Sequence, residues 1–301
     1  MTEGSRGHLA MLTFSLLVAG SFSLGALAAP LVDPLAINAL RFLIAGLLLG
    51  VAVLATGGFQ RAHYRAPWRF LVLGALFAAY FALMFQGLKT ARPVQAAAIF
   101  TLTPVMAAGF GWLLMHQITT LRIAAGLLIG AAGALWVIFE AELSRLLAFE
   151  IGRGEAIYFI GVLCHSIYTP LVPRLNRGEP ALPFSFAVLV TAFVLLTIVG
   201  MPAILDTDWL ALPPIVWITL IYVAVFASAM TFVLLQYAAL RLPSSKVMAY
   251  TYLVPTWVIG WELAMRHGGP PALVLVGVAL TIGALLLLLK DESPQAVPRK
   301  S

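Results

Sequence analysis

Gln86-Gly-Leu-Lys-Thr-Ala-Arg-Pro93 is followed by an apolar run to Pro104, then by His116, Gly126 and Gly133. Gln236-Tyr-Ala-Ala-Leu-Arg-Leu-Pro243 is followed by an apolar run to Pro255, then by His267, Gly277 and Gly283. The second series repeats the first at an offset of 150 or 151 residues. Self-similarity at a fixed period marks one structural unit used twice. Each copy holds five apolar stretches. An odd number of crossings sends the second copy into a membrane in the opposite orientation to the first. Inverted repeats of this kind place a shared site near the bilayer midplane, where the copies meet.

Composition agrees. Of 301 residues, 62% are hydrophobic and 10% charged, and mean hydropathy is +1.00. A soluble fold of this length needs far less apolar surface. The net charge of +6 does not point to nucleic acid, because the basic residues are scattered over short loops. The single cysteine, Cys164, excludes an intrachain disulfide and a Cys-based metal cluster. It lies inside an apolar span, as a buried, inert thiol does.

Ten spans of about 20 residues fit the hydrocarbon thickness. Their expected limits are 8–28, 34–55, 68–87, 93–114, 120–139, 155–174, 181–201, 213–237, 244–264 and 270–289. The first resembles a signal peptide ending in Ala26-Leu27-Ala28, but it is as long as a full span and has a counterpart in the second copy. It therefore reads as retained. All loops are short, the longest being 56–67 and 140–154. A cytoplasmic N-terminus puts twelve Arg and Lys inside: Arg6, Arg61, Arg65, Arg69, Arg122, Arg174, Arg177, Arg241, Lys246, Lys290, Arg299 and Lys300. Five fall outside: Lys89, Arg92, Arg145, Arg153 and Arg266. That bias sets both termini in the cytoplasm. The fold class is an all-α integral membrane protein of ten transmembrane helices, arranged as two inverted five-helix repeats over 1–147 and 148–301. Gly46/Gly50 and Gly126/Gly130 are GxxxG pairs suited to close helix approach.

Several residues carry functional readings. Pro104 and Pro255 each lie about 11 residues into their spans. Proline lacks an N–H and frees the carbonyl four residues earlier, here those of Phe100 and Thr251. A freed carbonyl in lipid must face protein or a water-filled cavity. The pair reads as hinges beside a substrate path; the alternative is a packing kink. His165 lies ~15 Å from the outer end of its span, where an ionisable group marks a site. Tyr168 shares its face, and Pro170 and Pro173 weaken the helix beyond. The alternative for His165 is a neutral ring satisfied by a neighbouring helix. Tyr80, Tyr250 and Tyr252 need partners that lipid cannot supply, so they should face inward. Gly20, Ser21 and Ser228 leave room beside them, with Gly20 as a further flexible point. Together these residues describe a cavity for a neutral or zwitterionic metabolite with an apolar side chain.

Other residues read more plainly. Trp257 and Trp261 share a face, Trp257 nearer the cavity and Trp261 as an interfacial anchor. Glu262 and Arg266 read as an ion pair. Arg41, ~10 Å into its span, reads as structural, snorkelling or paired within the protein. Gln86 and Gln236 read as helix caps or bridges. Arg61, Arg65 and Arg69 read as a solvated anchor. No carboxylate lies near a midplane, where proton-driven carriers place one. Transport is therefore expected to be facilitated, or weakly coupled through His165. No cofactor or metal is called for.

The chain resembles the drug/metabolite transporter superfamily and, within it, the EamA-type exporters. The resemblance rests on the five-plus-five repeat, on Pro34-Leu-Ala-Ile-Asn-Ala-Leu-Arg41-Phe42, and on the mid-span prolines. The closing helices Gly126-Leu-Leu-Ile-Gly-Ala-Ala-Gly133 and Gly277-Val-Ala-Leu-Thr-Ile-Gly283 add to it. It implies a metabolite exporter, amino acids foremost, working by alternating access without cofactors and without a need to dimerise. Where the family often has Trp-Gly in its first span, this chain has Ala19-Gly20-Ser21-Phe22. Where it often has Trp-Ala-x-Tyr in the sixth, this chain has His165-Ser166-Ile167-Tyr168. Those positions line the cavity in the family, so the substrate differs from that of a typical member. The competing readings are a phosphate-ester or nucleotide-sugar exchanger, a multidrug carrier, and an intramembrane enzyme. The first wants deep Lys or Arg beyond Arg41, the second a buried Glu, and the third a catalytic set at one depth.

Overall fold

A computed structural model describes residues 3–57, 59–116, 120–148, 150–239 and 244–289. Within them every regular element is helical. Eight segments are long and apolar enough to cross a membrane, as expected where a backbone must satisfy itself in lipid. Span 1 is Glu3–Ala28, span 2 Pro34–Thr56 and span 3 Trp68–Leu88. Span 4 is split into Pro93–Phe100 and Thr103–Met115, and span 5 is Leu121–Ile138. Span 6 is Arg153–Leu175 and span 7 Ala181–Asp206. Span 8 runs from Pro214–Ile221 through a π-helical Tyr222–Met230 to Thr231–Ala239. Span 9 runs from Ser244–Ala249 through a 3-10 turn at Tyr250–Leu253 to Val254–Ala264, and span 10 is Val274–Leu289.

Local chemistry explains these limits. The Asp33 carboxylate caps span 2, accepting from the amides of Leu35 at 2.8 Å and Ala36 at 3.4 Å, with Pro34 in the first turn, where its missing N–H costs nothing. The Thr120 hydroxyl caps span 5 by accepting from the Ile123 amide. Span 10 starts at Val274 rather than at 270, because Pro270 and Pro271 push the residues before them out of helical geometry. Span 7 runs on to Asp206, carrying Pro202 inside it. The long loops hold a 3-10 turn, Arg61–Tyr64, and a short helix, Leu143–Ala148.

The breaks in spans 4 and 9 fall at equivalent places. Each stops just before its proline, and Pro104 and Pro255 open the continuing helices. At each break a threonine hydroxyl donates back to a carbonyl three residues earlier, Thr101 to Ala98 at 2.6 Å and Thr251 to Met248 at 2.8 Å. Such back-bonding bends a helix.

Packing pairs like with like across the repeats. Span 2 lies against span 7 and span 5 against span 10, while span 3 packs on span 6 and span 1 on span 8. Between spans 5 and 10, a Cβ on Gly133 would meet the Gly277 carbonyl at 2.6 Å, and a Cβ on Gly277 would meet that of Gly133 at 2.6 Å. At an offset of 151, Gly126 corresponds to Gly277 and Gly133 to Ala284. Gly126 faces the Ala284 backbone and Leu288, so the two contacts exchange under the repeat. Lipid gives helices no hydrophobic drive to associate, and close approach of small residues supplies the contact instead.

Both ends are tied by charges. At the arginine-rich end, assigned to the cytoplasm by the positive-inside rule, Arg69 is 1% exposed. It pairs with Glu179 at 2.6 Å and donates to the carbonyls of Leu175 and Arg65. This corrects the reading of Arg69 as a solvated anchor; Arg61 and Arg65 are exposed as expected. Burial pushes the Glu179 carboxyl up, but hydrogen bonds from Arg69 and the Arg177 amide outweigh it and hold the group below the ordinary carboxylate range. At the opposite end Glu140 bridges Arg92 and Arg145. Glu262 pairs with His267 at 3.1 Å rather than with Arg266, whose left-handed φ of 61° turns the chain there. Cys164 is half-buried. The roles read for Arg241, Lys290, Arg299, Lys300 and the side chains of Gln236 and Lys246 lie outside the described residues.

Candidate functional site

Spans from both copies enclose a cavity of ≈ 220 Å³. That suits a small metabolite better than a drug-sized molecule. One wall is a stripe on span 3, Phe77, Tyr80, Phe81 and Met84, at the i, i+3, i+4, i+7 spacing of one helix face. His165 and Tyr168 of span 6 face it. Phe100 and Thr251, equivalent residues at the breaks of spans 4 and 9, complete the box. Freeing the backbone at these two points brings both side chains to the same cavity.

His165 lies between two tyrosines. Its ring stacks on Tyr80 at 4.5 Å and 26°, and on Tyr168 at 5.8 Å and 13°. Its Nδ1 is buried and has no hydrogen-bond partner. Across the box, Phe77 lies 5.1 Å from Tyr168.

Arg41 of span 2 is 1% exposed and also lines the cavity. Its Nε donates to Ser228 Oγ at 2.9 Å and its Nη2 to the Ala227 carbonyl at 3.4 Å. Both acceptors lie in the π-helical stretch of span 8. The guanidinium sits 3.9 Å from the centroid of the Phe81 ring, a cation–π contact. Its Nη1 is buried with no partner. Among the described residues no Asp or Glu lines the cavity.

The cavity runs from this box toward the arginine-rich end, past Met11 and Phe14 at the start of span 1, Phe184 and Ser185 at the start of span 7, and Met248 of span 9. The other end is shut. Phe22 and Tyr158 are 0% exposed, and Phe22 packs on Phe100 and Tyr158 at 6.0 Å each. The Tyr80 and Tyr158 hydroxyls meet at 3.3 Å. Beyond them spans 3 and 6 are in backbone contact, where a Cβ on Gly154 would meet the Gly87 carbonyl. A separate polar cleft of ≈ 240 Å³ opens at that end around Arg92, Gln95, Glu140, Arg145 and Glu155. Ion pairs with Glu140 hold its Arg92 and Arg145, and none of the aromatic box residues lines it.

Comparison with known proteins fits this architecture. The profile of the EamA-like transporter family matches residues 5–139 and again 152–290. The chain belongs to the EamA-like transporter family. It is similar to an uncharacterized transporter, YyaM, of Bacillus subtilis strain 168, with 24% identity over 94% of this chain and 91% of that one. An uncharacterized transporter of Archaeoglobus fulgidus is also 24% identical, over 94% of this chain and 97% of that one. A crystal structure with 20% identity superposes with a TM-score of 0.69 over 95% of this chain and 96% of its own, and shares the fold. As an EamA-like protein the chain is a multi-pass secondary transporter and not an enzyme.

Within this EamA-like framework the candidate residues separate. His165, Tyr168, Tyr80, Phe100, Thr251 and Ser21 line one cavity, and Ser228 stands behind Arg41. Four expected lining residues face elsewhere. Phe22 belongs to the closed end. Tyr250 bonds to His8 Nδ1 at 2.8 Å. Tyr252 fills the space that Gly130 leaves on span 5. Trp257 donates to Ser15 Oγ at 3.0 Å. Tyr250 and Trp257 find their polar partners on a neighbouring helix, whereas the Tyr252 hydroxyl is buried without one. Pro104 and Pro255 are buried at the breaks. Span 6 runs unbroken through Pro170. Gly20 lies in an unbroken helix, and its missing side chain admits Tyr222, whose hydroxyl donates to the Leu17 carbonyl. Arg41, Tyr158 and the Phe77 stripe were not assigned to the site from sequence. The stripe's spacing, and the seven-residue separation of Tyr158 and His165, were the legible signals.

Proposed function

We propose that this chain exports small metabolites across the inner membrane of a bacterium, amino acids with apolar or aromatic side chains foremost, in the manner of the amino-acid exporter YddG. The observation that carries the reading is the aromatic box at the crossing of the two copies. It is walled by Phe77, Tyr80 and Tyr168 and furnished with two unpartnered nitrogens, on Arg41 and His165. Aromatic faces suit an apolar side chain, and fixed polar groups orient a polar head.

The repeats, divided between 147 and 148, would rock about the breaks at Pro104 and Pro255. The cavity extends toward the arginine-rich end and the aromatic packing closes the other, which supports loading from the cytoplasm. One chain supplies a whole path and acts as a monomer. The test is counterflow: liposomes holding purified protein and unlabelled amino acids should take up labelled phenylalanine, methionine or threonine saturably. Absence of exchange by folded protein for any amino acid removes this substrate class.

A further inference from the structure

The cavity's charges do not balance, and the imbalance has a sign. Arg41 places a cation ~10 Å into the hydrocarbon region. Buried charges in proteins are paired, because an unpaired ion out of water is costly. Arg41 has no such pair. The cavity lining holds no Asp or Glu among the described residues. The guanidinium is held by two neutral acceptors, Ser228 Oγ and the Ala227 carbonyl, and by the face of Phe81. These contacts use Nε and Nη2. Nη1 is left buried with no acceptor, on a side chain that is 1% exposed. A planar guanidinium fixed by Ser228 and Ala227, lining the cavity and with one donor unspent, is a preorganised receptor for an oxyanion.

The described lining offers a cation aromatic faces but no counter-charge. A substrate ammonium group would find no carboxylate, and the ring nearest the charge, Phe81, is already covered by Arg41 at 3.9 Å. The remaining wall is apolar and aromatic, with the His165 ring stacked between Tyr80 and Tyr168. We infer that Arg41 is the anion-binding residue of this carrier, and that its ligands are apolar monocarboxylates recognised through the carboxylate and the hydrocarbon body, the amino group being dispensable. One carboxylate cancels one guanidinium, whereas a dianionic phosphate would leave a charge uncancelled. This deepens the reading of the cavity as the substrate site, and rests on it.

Two measurements on full-length wild-type protein separate the inference from that reading. The first is direct binding by calorimetry of L-phenylalanine, 3-phenylpropanoate, 3-phenylpropanamide and 2-phenylethylamine. The two carboxylates should bind within about threefold of each other, and the amide and the amine at least tenfold more weakly. Equal binding of the amine or amide, or binding of phenylalanine alone, overturns the role of Arg41. So does failure of every carboxylate to bind. The second is counterflow of labelled phenylalanine. Binding of 3-phenylpropanoate without phenylalanine exchange sinks the amino-acid reading and leaves the carboxylate receptor standing. Arg41→Lys should retain part of the carboxylate affinity, and Arg41→Gln should lose at least tenfold while keeping whatever amide binding exists. Because the four-ligand comparison uses wild-type protein, it stands even if Arg41→Gln does not fold.

Discussion

The His165 imidazole stacks on the Tyr80 ring with centroids 4.5 Å apart and planes inclined by 26°. This contact joins span 6 of the second copy to span 3 of the first. Aromatic pairs in such geometry contribute about 0.5–1.5 kcal/mol beyond the area they bury. The stack acts as one wall, so removing either ring should disable it. His165→Ala and Tyr80→Ala are each expected to lower counterflow roughly tenfold. The double substitution should cost little more than either alone, as coupled neighbours do. Strictly multiplicative losses in the cycle would show that the two rings serve separate steps.

The closed end turns on the Tyr80–Tyr158 hydroxyl contact at 3.3 Å. Tyr158→Phe leaves the Tyr80 hydroxyl buried without this partner, a loss of about 1–3 kcal/mol confined to the closed arrangement. The population open at that end should rise about fivefold or more. Cysteine at Phe22, in a Cys164→Ala background, reports it by its rate of labelling with a membrane-impermeant thiol reagent added from that side. Unchanged labelling would move the gate elsewhere, to the Gly87–Gly154 contact.

The described lining of the box contains no carboxylate, and proton-driven carriers ordinarily use one at that depth. A pH gradient imposed on liposomes is therefore expected to leave steady-state accumulation of a neutral substrate unchanged. Uphill accumulation that disappears in His165→Ala would assign the coupling proton to the imidazole instead.

The order of crossings could be read in advance because lipid allows few backbone solutions, and because each repeat carries its own punctuation. Pro34, Pro93 and Thr120 start helices where expected. Convergence was legible as well: His165, Tyr80 and Thr251, counted to a similar depth, line one cavity. Azimuth was not. Tyr250, Thr251 and Tyr252 occupy successive positions, yet only Thr251 reaches the cavity, because the 3-10 turn there resets the faces that ordinary helix geometry would assign. Arg41 misled for a different reason. A lone charge near a span end ordinarily snorkels, and its partners lie on span 8, 186 and 187 residues away. No local pattern announces such a contact.

Gly133 and Gly277 meet so closely that a methyl on either would lie 2.6 Å from the other's carbonyl oxygen. Since backbone cannot yield as a flexible side chain does, Gly133→Ala should cost about 1–3 kcal/mol through overpacking. The measurement is thermal unfolding of purified protein in detergent. Gly283→Ala is the control, because a Cβ there meets open space, and its melting temperature should match or exceed wild type, since alanine is favoured over glycine in a helix interior. A Gly133→Ala variant no less stable than Gly283→Ala would mean that the contact between spans 5 and 10 accommodates the methyl group.

The Arg69–Glu179 pair gives a pH dependence whose sign follows from its geometry. Glu179 is held below the ordinary carboxylate range, with burial opposing and the Arg69 and Arg177 hydrogen bonds prevailing. A group whose folded pKa is depressed contributes stability above its unfolded pKa, about 4.3 for Glu, and loses it as pH falls through the folded value. At pH 7 the contribution is therefore full, and Glu179→Gln should destabilise the protein by about 2 kcal/mol, in the range of charge-assisted hydrogen bonds. As pH falls below about 4.3 and through the depressed folded value, the melting temperatures of wild type and Glu179→Gln should converge, as wild-type Glu179 becomes neutral too. A gap that stays constant through that range would mean that the loss at pH 7 comes from packing around the side chain rather than from its charge. Arg69→Gln should show the same convergence only in part, because Arg69 also holds the carbonyls of Leu175 and Arg65, which do not titrate.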